Sequence, residues 1–183
     1  MRKSLLLIAI SFLFCHAAPA QNNSKPGLLS EKVMKAELQP VDGSASIKLS
    51  ALRGKIIVLV LWASWCRPCR MAVTALDDFN KDFVYRGVEV IGLTFGNSKT
   101  EVEDVLAFVR DSTPGYQLGW ASREIASELL GERTTIPQIL VLTDEGLIVK
   151  RFLGYNPDKT IEQLRAVVEG ALINPPRKTV AAP

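Results

Sequence analysis

Two cysteines separated by two residues, Cys66-Arg67-Pro68-Cys69, form a pair whose types and spacing can do chemistry. The surrounding stretch reads Trp62-Ala63-Ser64-Trp65-Cys66-Arg67-Pro68-Cys69-Arg70 and follows a run of strand formers from Ile56 to Leu61. Two thiols at this spacing, where a strand ends and a helix begins, can close to a disulfide and open again. At a helix N-terminus the unpaired N–H groups and the macrodipole favour a thiolate. Cys66 is expected at that mouth as the exposed attacking sulfur, with the charge of Arg67 beside it. Cys69, one turn further in, is expected to be buried and is placed to attack a mixed disulfide formed by Cys66.

Two other uses of such a pair compete. A purely structural disulfide would close so short a loop that it constrains the unfolded chain little. Half of a zinc site would need about four ligands, drawn chiefly from nitrogen and sulfur. The third cysteine, Cys15, and the single histidine, His16, both lie in an N-terminal stretch that reads as a leader. Without that stretch only carboxylates remain to complete a site, so no metal or other cofactor is expected.

Residues 1–20 have the layout of a secretory signal peptide. Arg2 and Lys3 start it, Leu5 to Phe14 form a short apolar core, and Ala18-Pro19-Ala20 supplies small residues for cleavage before Gln21. An apolar run of about ten residues is well short of the roughly twenty needed to span a bilayer, which leaves an uncleaved membrane anchor as the minor alternative. Lipid attachment at Cys15 is disfavoured by the large Phe14 before it. Export places the chain in an extracytoplasmic, periplasmic-type space that is oxidising. Removing Arg2 and Lys3 from the 22 basic residues leaves 20 against 19 acidic ones. With those charges scattered, no nucleic-acid partner is expected. Taking 20 residues from 183 leaves 163, which suits one domain, expected as a monomer. Residues 21–30 are polar with Pro26-Gly27 and read as a linker. The domain is placed at 31–172, and the proline-bearing residues 173–183 read as a flexible tail.

The elements that must position the cysteines alternate between strand and helix. Val33 to Gln39 and Ala45 to Leu49 flank Val41-Asp42-Gly43-Ser44, which predicts an N-terminal hairpin. Ile56 to Trp62 is continuously apolar, as in a central strand covered on both faces. The helix opened by the cysteines carries Ala72, Ala75, Leu76, Phe79 and Phe83 at helical spacing. Val88 to Thr94 is a second buried strand. Ser98 and Glu101 have capping-box spacing ahead of an apolar stripe. Tyr116 to Trp120 is a short strand, and Ser122 caps a helix through Leu130. Gln138 to Thr143 and Leu147 to Leu153 flank Asp144-Glu145-Gly146, a hairpin signal. Asn156-Pro157 reads as the start of a last helix bearing Ile161, Leu164, Val167, Val168 and Leu172. The sum is an α/β chain, a central mixed sheet with helices on both faces and an N-terminal β-hairpin extension.

On these residues the chain resembles the thioredoxin superfamily, and within it the exported TlpA/ResA-type thioredoxin-like proteins. The stretches that carry the resemblance are Leu49 to Lys55, Trp62 to Arg70, Arg86 to Gly92, Thr135-Ile136-Pro137 and Asp144 to Val149, over roughly residues 31–172. The resemblance implies a thioredoxin-like fold and a cis peptide bond before Pro137. It also implies that Ile136 and Pro137 face the cysteines and dock an extended substrate by strand addition. Trp65 would shield the site, with Arg67 and Pro68 setting the surface around it. The implied activity is thiol–disulfide exchange through Cys66 and Cys69, with a disulfide-containing protein as substrate and a membrane electron donor to restore the dithiol. The chain departs from the family in three places. Val60 stands where many thioredoxins carry a buried acid, Ala72 where many ResA-like proteins carry a glutamate, and Thr74 where a proline is usual. Two rivals stay open at this point. A peroxiredoxin-like peroxidase would want a threonine where Ala63 stands, and a copper carrier would want a distant histidine beside the two thiols.

If residues 1–20 are a cleaved leader, N-terminal sequencing of the protein from its native host begins at Gln21. A start at Met1 in the membrane fraction would instead show an uncleaved anchor.

Overall fold

The structure is a computed structural model that describes residues 27–96 and 98–176. The expected leader, Cys15, His16 and the end of the expected tail lie outside the described residues. At the centre is β2 (Ile56–Trp62), with side chains at most 6% exposed. Successive residues of a strand point to opposite faces, so a strand apolar at every position must be covered twice. Val58, Val60 and Trp62 enter one layer with α2 (Arg67–Phe83), α3 (Lys99–Ser112) and α5 (Thr160–Ile173). Ile57, Leu59 and Leu61 enter the other with α1 (Glu31–Lys35), a 3-10 turn at Leu49–Ala51 and α4 (Arg123–Leu130).

β2 pairs in parallel with β3 (Val88–Thr94) and antiparallel with β5 (Gln138–Leu142). Outside these lie β4 (Gln117–Trp120), β1 (Gln39–Pro40) and β6 (Ile148–Leu153), giving the order β1-β4-β3-β2-β5-β6. The sheet is mixed and carries helices on both faces, as expected. Ser98 and Glu101 form the full capping box of α3, and the Ser122 hydroxyl accepts from Ile125 N–H to cap α4. The last helix starts later than Asn156-Pro157. Asn156 caps a single turn, its carbonyl accepting from Thr160 N–H at 2.9 Å, and the regular helix follows.

The N-terminal hairpin is present only in part. Its first arm turns helical, because Val33 and Met34 are consecutive and both buried in one layer; a strand would send them to opposite faces. The Ser30 hydroxyl accepts from Val33 N–H and caps that turn. What remains of the hairpin is one antiparallel bridge, Leu38 to Ile47, closed over the turn at Gly43. Gln39 and Pro40 pair instead with Trp120 and Gly119 of β4 at the sheet edge, where a proline's missing N–H is tolerated. Within the stretch that reads as a linker, residues 27–30 lie against the β5–β6 turn. Leu29 N–H donates to Gly146 O at 2.9 Å, and Ile148 N–H donates to Gly27 O at 2.8 Å.

Two contacts hold α2 in place at its middle and end. Tyr116 Oη donates to Val73 O at 2.8 Å, and burial pushes the Tyr116 hydroxyl pKa up. Phe79 and Phe83 stack with ring centroids 4.4 Å apart under Arg86 and Arg165. Behind the site, β3 passes close under its neighbours at Gly92. A Cβ there would stand 2.2 Å from Leu118 Cδ2 and 3.4 Å from Trp62 Nε1. Gly92→Ala should therefore destabilise the fold by about 1–3 kcal/mol through overpacking. Denaturant unfolding checks this, and a double-mutant cycle with Leu118→Ala should show favourable coupling, because the smaller residue removes the clash.

Candidate functional site

The two sulfurs sit where β2 gives way to α2. Cys66 is the N-cap of that helix, and Arg67 and Pro68 form its first turn, where proline's missing N–H costs nothing. Cys66 N–H donates to Ala63 O at 3.2 Å, and Arg70 N–H donates to Cys66 O at 3.1 Å, so the turn holds the first cysteine from both sides. The sulfur of Cys66 itself accepts from Cys69 N–H at 3.2 Å. That N–H is one of the donors a helix start leaves unpaired, and with the macrodipole it would stabilise negative charge on Cys66 once the bond is opened. The two cysteines are joined as a disulfide, Cα atoms 5.2 Å apart.

The expectation of an exposed Cys66 needs correction in degree. Cys66 is the outer cysteine but is only 7% exposed, while Cys69 is 0% exposed. The cover comes from the opposite loop. Ile136-Pro137 is a cis peptide bond, and Ile136 O lies 3.9 Å from Cys66 Sγ. Trp65 is 66% exposed and stands at the rim. With Ile136 it lines a groove of about 770 Å³ whose further walls include Phe95, Ala126, Leu130 and Arg133. The structure thus brings together Trp65, Cys66, Cys69, Ile136 and Pro137, with Arg67 and Pro68 exposed beside them. Sequence reasoning missed the groove itself, because α4 and residues 131–134 reach it only through the tertiary fold. The helix-ending Gly131 could have signalled the loop but not its neighbour.

The interior beside the pair is apolar. Val60 and Ala72 are both 0% exposed. Thr74 is exposed and returns its hydroxyl to Arg70 O at 3.1 Å. Among the described residues no aspartate or glutamate is buried. Asp77, two turns along α2, is committed elsewhere. The Lys81 ammonium at 2.8 Å and the Gly115 N–H at 2.6 Å hold its carboxyl below the ordinary carboxylate range. Among the described residues, no group of three or more His, Cys, Asp or Glu is placed to hold a metal ion.

The sequence model described as the AhpC/TSA family matches residues 29–151, two thirds of the chain. The chain belongs to the AhpC/TSA family. It is 35% identical over 123 residues to the thiol-disulfide oxidoreductase ResA of Bacillus subtilis. That match covers 67% of this chain and 66% of ResA. It is 23% identical over 109 residues to ResA of Oceanobacillus iheyensis, covering 57% of each. The chain therefore spans somewhat less than two thirds of these relatives. Among solved structures it superposes with a TM-score of 0.61 on a secreted Mycobacterium tuberculosis disulfide oxidoreductase homologous to DsbE of E. coli. That match is at 15% identity and covers 77% of this chain and 99% of the other, a likeness of fold. The fold is thioredoxin-like.

An apolar pocket disfavours a thiolate at Cys69, and among the described residues no buried carboxylate is present to take its proton. Release of a mixed disulfide by Cys69 should therefore be slow at pH 7 and quicken as pH rises, with hydroxide or water accepting the proton. Ala72→Glu should speed release at pH 7. Single-turnover rates against pH check both; a fast, pH-independent release in the natural chain would overturn them.

Proposed function

We propose that this chain is an extracytoplasmic thiol–disulfide oxidoreductase that reduces disulfides in protein substrates. The observation that carries the reading is the meeting of the Cys66–Cys69 pair at a helix start with the Ile136 carbonyl, 3.9 Å from Cys66 Sγ. The helix supplies stabilisation for a Cys66 thiolate. The loop supplies a backbone edge on which an extended polypeptide can lie as an added strand, with Trp65, Arg67 and Pro68 as the surrounding surface.

The exchange balances in two steps. Cys66 thiolate attacks one sulfur of a substrate disulfide; the Cys66–substrate bond forms, and the substrate's other sulfur leaves as a thiolate that takes up a proton. Cys69 then gives up its proton and attacks Cys66 Sγ. The Cys66–Cys69 bond forms, and the second substrate sulfur leaves. Two electrons pass from the protein to the substrate, and the disulfide state of the structure is the product. A membrane-borne thiol donor returns two electrons and restores the dithiol.

The leader pattern of residues 1–20 supports an extracytoplasmic setting, and the M. tuberculosis protein of similar fold is described as secreted. No described helix is long and apolar enough to cross a membrane. A peroxidase reading has less support: Ala63, 2% exposed, offers no hydroxyl where that chemistry wants one.

Two measurements test the proposal. Cys69→Ser should trap covalent substrate adducts on Cys66, while Cys66→Ser should trap none; equal trapping by both would refute the assigned roles. The Cys66–Cys69 reduction potential should fall near about −270 mV, as for a reductant, and a value near about −120 mV would reverse the direction.

A further inference from the structure

Gln138 opens β5 and is 0% exposed, in a strand whose other residues are all apolar. Its partners in register, Leu61 on β2 and Leu153 on β6, bring it no polar side chain. A buried amide left without hydrogen bonds is costly, so its partners say what it does there. Its Oε1 accepts from Arg151 Nη1, and its Nε2 donates to Thr135 O at 3.0 Å and to Arg133 O at 3.5 Å. The sense of the amide follows from chemistry, since a guanidinium only donates and a carbonyl only accepts. The same Arg151 Nη1 donates to Leu129 O, near the end of α4, at 2.7 Å. One buried side chain and one half-buried guanidinium thus join β6, β5, the end of α4 and the loop between.

That loop is the one that faces the sulfurs. Its own backbone gives it a long turn bond, from Arg133 N–H to Leu130 O at 3.4 Å, and residues 132–135 are exposed. It nevertheless ends at Ile136, whose carbonyl lies beside Cys66, and Arg133 and Thr134 line the groove next to Trp65. The amide of Gln138 holds the carbonyls of Arg133 and Thr135, and so sets how the Arg133–Thr134 and Thr135–Ile136 peptide groups are turned.

We propose that Gln138, itself held by Arg151, is a positioning residue for polypeptide substrates: it fixes the strand-like edge at Thr135 and Ile136 on which a disulfide-bearing segment docks. The inference rests on the oxidoreductase reading for its substrate, but the clamp is a property of the fold. A small disulfide reaches Cys66 without lying along that edge and does not need the clamp. A polypeptide disulfide does, because its main-chain hydrogen bonds require the loop peptides in one orientation. Gln138 therefore separates substrates by size and backbone rather than by the chemistry at sulfur.

The test uses the full chain with Gln138→Leu and Arg151→Met. For insulin disulfides, KM should rise about tenfold, the effect of losing one or two loop-orienting hydrogen bonds, with kcat and the Cys66–Cys69 potential unchanged. For cystamine, kcat/KM should change by less than about twofold, since no hydrogen bond at that edge is used. Amide hydrogen exchange at Arg133, whose N–H makes the loop's turn bond, should quicken about tenfold in both variants while β2 amides keep the natural rate. Equal losses on insulin and cystamine would overturn the proposal, as would unchanged exchange in the loop. If the natural chain fails to reduce insulin, the oxidoreductase reading falls, and the exchange measurement still decides the clamp. If Gln138→Leu does not fold, Arg151→Met carries both arms.

Discussion

Burial of β2 on both faces is the constraint from which the site follows. Its seven residues are sealed between two layers, so the chain can turn toward solvent only at the strand's end. In α/β sheets that carboxyl edge is where sites form, because helix N-termini open there. The same pairing decides what faces the cysteines. β5 runs antiparallel to β2, with Leu61 opposite Gln138. Beyond Leu61 the chain leaves β2 toward Cys66, and just before Gln138 it enters β5 from Ile136 and Pro137. Because the two strands run in opposite directions, that exit and that entrance lie at one edge of the sheet. A parallel pairing would have sent the proline loop to the far edge. The 3.9 Å approach of Ile136 O to Cys66 Sγ is thus a consequence of sheet register.

Charge at the site is managed by dipoles rather than by paired ions. Cys66 has a backbone donor in Cys69 N–H and the first turn of a 17-residue helix behind it. The acidic residues of α2 are spent further along, with Asp77 held by Lys81 and Gly115. Cys69 belongs to an apolar cluster with Val60 and Val73, all 0% exposed. Such a pocket separates the two sulfurs in kind. The outer one can carry charge where the helix start supports it, and the inner one is held in surroundings that favour its neutral form.

Much of this was legible in the residues themselves. The cysteine spacing, the apolar run of β2, the capping box at Ser98 and Glu101, and the Ser122 cap all rest on interactions within a few positions along the chain, so their spacing states their geometry. The double burial of β2 was legible because no alternation appears in it. The resemblance of Thr135-Ile136-Pro137 to a known motif located the facing loop, although its neighbours in space lie far away in the chain.

Other features were decided by competition for burial, which spacing does not state. Val33 and Met34 left the expected hairpin for a helical turn because one apolar layer had room for both. Pro40 found the β4 edge rather than a hairpin partner. The cover over Cys66, the groove beside Trp65 and the partners of Gln138 depend on which surfaces α4 and the 131–136 loop meet after packing. The sequence by itself determined the dithiol, the strand that ends at it and the helix that opens from it, because those rest on local geometry. Only the tertiary structure decided what stands opposite the sulfurs and what holds it there, because that rests on register and burial between segments 70 residues apart.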